Sequence, residues 1–211
     1  MNINEKKKYI DLKNLLRSVS IAVVFLLVLS VVGFGANYDN IRENVLRLHI
    51  LANSDTAEDQ ALKLKVRDAV LQLSEEIFIG CSSEQQASTA ARDNLKALEA
   101  VALKTVSDNG YSYPVTATVC NMWFEDRVYD DFTLPAGMYE AVRIEIGEAK
   151  GKNWWCVMFP SVCLPSASDK GLDATLNKKE TEMCESPDRY VVKFKVVELF
   201  HRCRKEIKSW F

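Results

Sequence analysis

Histidine is almost missing from this chain: two residues in 211, His49 and His201. Six cysteines are present, but none are arranged as C-x-x-C, so neither a zinc ribbon nor a thioredoxin-type redox pair is indicated. His201 and Cys203 are one residue apart on an expected helix and point to different sides, so no metal site is expected and no cofactor is implied. G-x-S-x-G, H-E-x-x-H and Walker-type loops are absent, and GEAKGKN at 147–153 lacks the spacing that cradles phosphate. The sequence also lacks internal repeats, low-complexity linkers and any basic excess: 27 Lys and Arg face 29 Asp and Glu. That balance is poor material for nucleic-acid binding, and no nucleic-acid partner is expected.

Long apolar runs are scarce too, with one exception. Lys6, Lys7, Lys8, Lys13 and Arg17 precede an apolar stretch from Val19 to Phe34 broken only by Ser20, Ser30 and Gly33. A basic flank before such a core is the pattern of an export signal. The stretch is slightly short for a transmembrane helix, yet long enough for an uncleaved anchor that would contact the membrane through residues 19–34. The expected organisation is therefore a signal peptide or signal anchor over 1–35 and one exported domain over 36–211. Within that domain, residues 36–188 carry 15 basic and 25 acidic residues, while 189–211 carry seven and two. All six cysteines (Cys81, Cys120, Cys156, Cys163, Cys184 and Cys203) fall in the exported part, which permits three disulfides without fixing their pairing.

The pattern along the domain is helical first and extended later. Ile41–Leu51 contains a period-two alternation that suits a strand, with Leu46, Leu48 and Ile50 against Arg47 and His49. Ser54 or Asp55 can cap a following helix, with Glu58 at the capping-box position. Leu62, Val66, Val70, Leu73 and Ile77 recur at helical spacing. A second helix begins near Ser83, keeps an Ala- and Leu-rich stripe to Val106, and stops at Asp108-Asn109-Gly110. Tyr113–Phe124, Met138–Ile146 and Asn153–Phe159 read as strands, and their short connections favour antiparallel pairing. Leu164–Pro187 reads as an irregular excursion, and Lys193–Phe211 as an amphipathic helix. The expectation is an α+β fold: an antiparallel sheet packed with two N-terminal helices and a C-terminal amphipathic helix, behind the export segment.

Candidate chemistry is thin. His49 with Asp55 or Glu58 could form a general acid–base pair, the basis of an alternative reading as an exported hydrolase acting on cell-wall material. Acidic residues in a first helical turn are, however, expected for capping and dipole reasons alone. In GKNWWCVMFPSVC (151–163) the two indoles should point to opposite faces of a strand, one packing and one available for contact. Cys156 and Cys163 are a candidate disulfide that would staple the turn between them.

Three blocks together resemble the stage II sporulation protein R family of endospore-forming bacteria: LRLHILANSDTAEDQALKLKVRDAV (46–70), LPAGMYEAVRIEIGEAKGKNWWCVMFPSVC (134–163) and VKFKVVELF (192–200). One departure is Ala149, where a glycine is expected. The resemblance implies a non-enzymatic signalling protein made in the forespore and exported across its membrane to the intermembrane space. There it would activate a membrane-embedded aspartic protease of the mother cell, which processes the precursor of sigma factor E. The resemblance transfers no contact residues. Side-chain chemistry makes His49, Asn53, Ser54 and Asp55, with Trp154 and Trp155, the expected receptor contacts.

Overall fold

The structure is a computed structural model that describes residues 14, 16–23, 25, 34–129, 132–161, 175–187, 190, 194, 195, 197 and 198. The chain forms two compact units, Asp39–Tyr190 and a terminal unit of Met1–Tyr38 with Val191–Phe211.

The larger unit is α+β, as expected. A four-stranded sheet runs in the order β2–β5–β1–β6, with β1 at Leu46–Leu51, β2 at Val115–Phe124, β5 at Gly137–Ile146 and β6 at Asn153–Phe159. The short strands β3 (Arg127–Val128) and β4 (Thr133–Leu134) form a separate hairpin. β2 pairs antiparallel with β5, and β1 antiparallel with β6, while β1 and β5 are parallel. The sheet is thus mostly antiparallel with one parallel pair at its centre. Although β5 and β6 are consecutive, β1 lies between them, so the connection 147–152 crosses the end of β1.

One face of the sheet is covered by α1 (Ala57–Ile77), α2 (Glu84–Asp93) and α3 (Leu95–Asp108). Leu46, Leu48 and Ile50 of β1 meet Leu62, Val66 and Val70 of α1, with Leu98, Ala102 and Val106 of α3. Burying each of these larger aliphatic side chains contributes roughly 1.5–3 kcal/mol. The small residues Ala87, Ala91 and Ala102 let the helices approach the sheet closely.

Several local expectations need correction. The strand begins at Leu46 rather than Ile41; residues 34–43 are helical, and Phe34, Tyr38 and Ile41 are buried at helical spacing. The cap of α1 is Thr56, whose hydroxyl accepts from the Asp59 amide, because the Ser54 and Asp55 side chains are engaged elsewhere. The second expected helix is two, α2 and α3, parted at Asn94. Its side chain bonds back to the Ala90 carbonyl at 2.9 Å, a local alternative to helix continuation. Within the expected irregular excursion lies α4, Lys178–Glu185, held by an Asn177–Glu180 capping box.

In the terminal unit, the described residues between 14 and 25 are helical and exposed. Among the described residues no helix is long and apolar enough to cross a membrane. Residues 24 and 26–33 of the apolar stretch lie outside them. Phe194, Lys195, Val197 and Glu198 are helical, and the Phe194 ring packs on Phe34 and Tyr38 at centroid distances of 5.0 and 5.8 Å. The rest of the expected C-terminal helix lies outside the described residues.

Candidate functional site

The crossing of 147–152 over β1 creates a dense polar junction. Extended backbone passing another chain must find acceptors for its amides. Lys150 N donates to the Asn53 carbonyl at 3.2 Å, and Gly151 N to the Ala52 carbonyl at 2.9 Å. Glu148 N donates to Asn53 Oδ1 at 3.0 Å and Lys152 N to Asp55 Oδ1 at 2.6 Å. A Cβ at Gly151 would overlap the Ser54 carbonyl, and one at Gly147 would overlap the Asn53 side chain. Gly147 also sits at φ +61°, where glycine carries no steric cost. Ala149 occupies φ 53° in the same turn, a left-handed conformation that the absent glycine would adopt freely.

Asp59 anchors this junction from the first turn of α1. Its carboxylate accepts from Ser54 Oγ at 2.6 Å and Asn53 Nδ2 at 2.8 Å, and it is 4% exposed. Burial alone would push the carboxyl up; hydrogen bonds from Ser54, Asn53 and Tyr113 outweigh that and hold it below its ordinary value. Lys63 closes the far side, donating to the Lys152 carbonyl at 2.9 Å and to Gln60 Oε1 at 2.6 Å. Burial pushes its ammonium down, partly countered by Asp55. The outer rim is an open depression of about 490 Å³ lined by Asn53, Ser54, Tyr113, Pro114, Gly147, Glu148 and Lys150.

The sheet face away from α1–α3 is different in kind. Arg47 is completely buried, its guanidinium 4.3 Å from the Phe124 ring centroid and 4.9 Å from that of Tyr139. It donates to the Cys156 carbonyl at 3.0 Å and to Tyr129 Oη at 2.8 Å, while its Nη1 has no hydrogen-bond partner. Aromatic faces offset some of the desolvation of a charge that no described carboxylate pairs. Two residues on, His49 stacks on Trp155 with ring centroids 4.0 Å apart and bonds Asn153 Oδ1 through Nε2 at 2.8 Å. Burial pushes the His49 imidazole down, and the Asn153 bond only partly restores it. Phe124 meets Trp155 edge-on at 4.8 Å, and the Arg127 guanidinium lies 5.7 Å from the Trp155 ring.

The expected site residues therefore separate into two groups. Asn53, Ser54 and Asp55 converge with Asp59 at the crossover, where their side chains hold the two loops together. His49 and Trp155 converge on the opposite face, with Trp155 half-buried. Trp154 points into the helical side, packed on the core beneath the Arg67 guanidinium at 4.5 Å. The two indoles do point to opposite faces. His49 is not brought to Asp55 or Glu58: its partners are Asn153, Trp155 and Phe124, and Glu58 lies exposed on α1 across the sheet. Among the described residues no group of three or more His, Cys, Asp and Glu could hold a metal ion. Cys156 is disulfide-bonded, Cys81, Cys120 and Cys184 are free thiols, and the expected partner Cys163 lies outside the described residues. Sequence reasoning missed Arg47 and Asp59. The first looked like the polar half of a strand alternation, and the second like an ordinary first-turn acid.

Comparison with known proteins adds the family. Residues 42–169 match the family described as Stage II sporulation protein R. The Stage II sporulation protein R of Bacillus subtilis (strain 168) is 34% identical over 147 residues, spanning 67% of this chain and 66% of that protein. No solved structure matches. The matched span includes the crossover junction and the arginine–aromatic face alike, and on both comparisons the chain belongs to the stage II sporulation protein R family.

Proposed function

We propose that this protein is an exported sporulation signal that activates a membrane-embedded aspartic protease of the mother cell, which then processes the precursor of sigma factor E. The observation that carries the reading is the family match, whose span of 42–169 falls within the compact unit Asp39–Tyr190. Family membership supports a role in sporulation; the protease, the precursor and the export step belong to the proposal. The basic flank and apolar stretch at 6–34 support export across the forespore membrane to the intermembrane space, by a cleaved signal or an anchor. A disulfide at Cys156 suits an oxidising compartment.

The protein acts as a ligand rather than a catalyst in this reading. Binding favours the active conformation or assembly of the protease only to the extent that the protein prefers that state. Of the expected contacts, Trp155 is the best placed, half-buried beside Arg127 and held rigid by His49. Asn53, Ser54 and Asp55 contribute by fixing the rim of the crossover depression, His49 by fixing Trp155, and Trp154 by seating β6 on the helices.

The test is co-expression in a non-sporulating host, with the protein exported beside the protease and the sigma-factor precursor in the cytoplasm. Precursor cleavage that needs both the protein and its export is the expected result. Failure of cleavage, with the protein shown exported and folded, would overturn the proposal.

A further inference from the structure

α2 is lightly seated on the domain. The side chains it buries are Ala87, Ser88 and Ala91, all small, so little apolar surface holds it. Breaks lie at both ends: Gly80 precedes it at φ +83°, and the chain parts from α3 at Asn94. Elements with few buried apolar contacts open locally at lower free energy than the core does. Two polar contacts fasten α2 to β5, and both end on one residue. Arg92 of the last turn pairs with Glu140, and Glu84 of the first turn shares a hydrogen bond with the same carboxyl.

A glutamate in a first helical turn is ordinarily favoured as the anion by the helix dipole. Glu84 is driven the other way. Burial first, then the Glu140 charge and the hydrogen bond with it, push its carboxyl up to about 7; Arg92 opposes and Glu43 adds to the push. Its Oε1 is buried without a hydrogen-bond partner. Beside the pair lies a cavity of about 540 Å³, walled by Ser88 and Arg92 of α2, Met138 and Glu140 of β5, and Asn121 of β2. The other charged groups of its wall are Arg42 and Glu43, from the helix at 34–43, and Arg42 is paired with Asp39.

We propose that the Glu84–Glu140 carboxyl pair is a proton latch that closes α2 on the sheet, and that α2 moves off β5 when the proton leaves to water. With one proton between them, Glu84 donates to a Glu140 oxygen. With none, two carboxylates face each other in a partly buried site, an arrangement that like charges resist. The cavity gives the ionised Glu84 and its hydrating water room, so the pair parts without unfolding of the strands beneath. The closed form holds the proton more tightly than an open form with an ordinary carboxyl. Closure is therefore complete below about 4.5, weakens as pH rises, and is weakest above about 7. The latch goes beyond the proposed signalling role: it makes the α2 side of the domain respond to pH whatever the partner.

Hydrogen–deuterium exchange of the full chain in detergent, wild type against Glu84→Gln, tests it. Glutamine keeps a donor for Glu140 and cannot ionise, so this variant stays latched at every pH. With solvent screening allowed for, the α2 amides of wild type should exchange about fivefold faster than those of Glu84→Gln at pH 8, and at the same rate at pH 4. The β5 amides should remain slow in both proteins at both pH values. Nuclear magnetic resonance of the carbon-13-labelled Glu84 carboxyl supplies a measurement on the unaltered chain. Its midpoint should lie near 7 and fall toward the ordinary carboxyl range in Glu140→Gln, which decides the matter should Glu84→Gln fail to fold. A wild-type midpoint in the ordinary range, or equal α2 exchange in wild type and Glu84→Gln at pH 8, overturns the proposal. So does a difference shared equally by the α2 and β5 amides, since the pair would then part only when the whole domain unfolds.

Discussion

Asp59→Asn is the sharpest probe of the crossover junction. The wild-type carboxylate accepts from Ser54 Oγ at 2.6 Å and Asn53 Nδ2 at 2.8 Å while almost wholly buried. Both bonds end on Asp59 Oδ2, and hydrogen bonds to a charged group contribute roughly 1.5–3 kcal/mol each. An asparagine keeps one acceptor and turns an NH₂ toward groups that are themselves donors. One charge-assisted bond is lost and the other becomes neutral, so the loss should be about 2–4 kcal/mol. That is a large share of a typical stability of roughly 5–15 kcal/mol. Urea unfolding of the purified protein near pH 7 measures it directly.

The acid limb supplies a second readout. Because the folded-state carboxyl lies below its ordinary value, its stabilisation is complete above the unfolded value of about 4. It is lost as pH falls through the folded value. The gap between wild type and Asp59→Asn should therefore be constant from pH 5 to 7 and shrink toward pH 2. A loss below about 0.5 kcal/mol, or a gap that does not close in acid, would refute the assignment of Asp59 as the anchor.

Gly151→Ala should cost roughly 2–4 kcal/mol in the same urea assay, because the new methyl overlaps the backbone carbonyl of Ser54, which cannot rotate away. A stability change within experimental error would show that the two loops separate without penalty. Glu84→Gln should flatten a loss of stability as pH rises from 4.5 through about 7, since the folded state holds that proton more tightly than the unfolded chain. Solvent screening at a half-exposed site reduces the expected gain at pH 8 to about 1 kcal/mol; an unchanged pH profile would contradict the burial argument. In the co-expression assay, Trp155→Ala should lower precursor cleavage at an unchanged level of exported protein, whereas Asp59→Asn should lower both in proportion, as destabilised proteins are cleared. Equal loss of exported protein in the two variants would assign Trp155 to stability instead of contact.

The regular elements were legible because period alone reports them. The alternation of β1 and the stripe of α1 report the apolar faces that meet in the core, and Asn109-Gly110 marks a helix stop because Gly110 takes a positive φ. The break at Asn94 was not legible, since the Ala and Leu stripe continues through it and only a side-chain bond to Ala90 interrupts the helix. α4 had its signal in the Asn177–Glu180 spacing, but few apolar residues accompany it, and its burial depends on distant chain. Half of the candidate site was legible as residue types. Asn53, Ser54 and Asp55 stood out as a polar cluster, yet nothing local could reveal that their partners lie some ninety residues on, at 148–152. Arg47 was hidden for a related reason: a charged residue on an alternating strand is normally the solvent side, and only the rings of Phe124, Tyr129 and Tyr139, far along the chain, bury it.

The strand order imposes a sequence of requirements on the junction. With β1 between β5 and β6, residues 147–152 must cross the end of β1, and at the closest approach the chain has no room for a side chain, hence Gly151. The crossing amides need acceptors, which Ala52, Asn53 and Asp55 supply. Asn53 and Ser54 must in turn be fixed, which Asp59 does from the first turn of α1. HILANSD and GEAKGKNWW, which lie in two of the blocks that carry the family resemblance, are thus one structural unit split in sequence. Their resemblance testifies first to a topology, and the side chains that would mark a catalytic centre are committed to holding it. Recognition has to be sought away from the junction, at the Trp155 face beside Arg127.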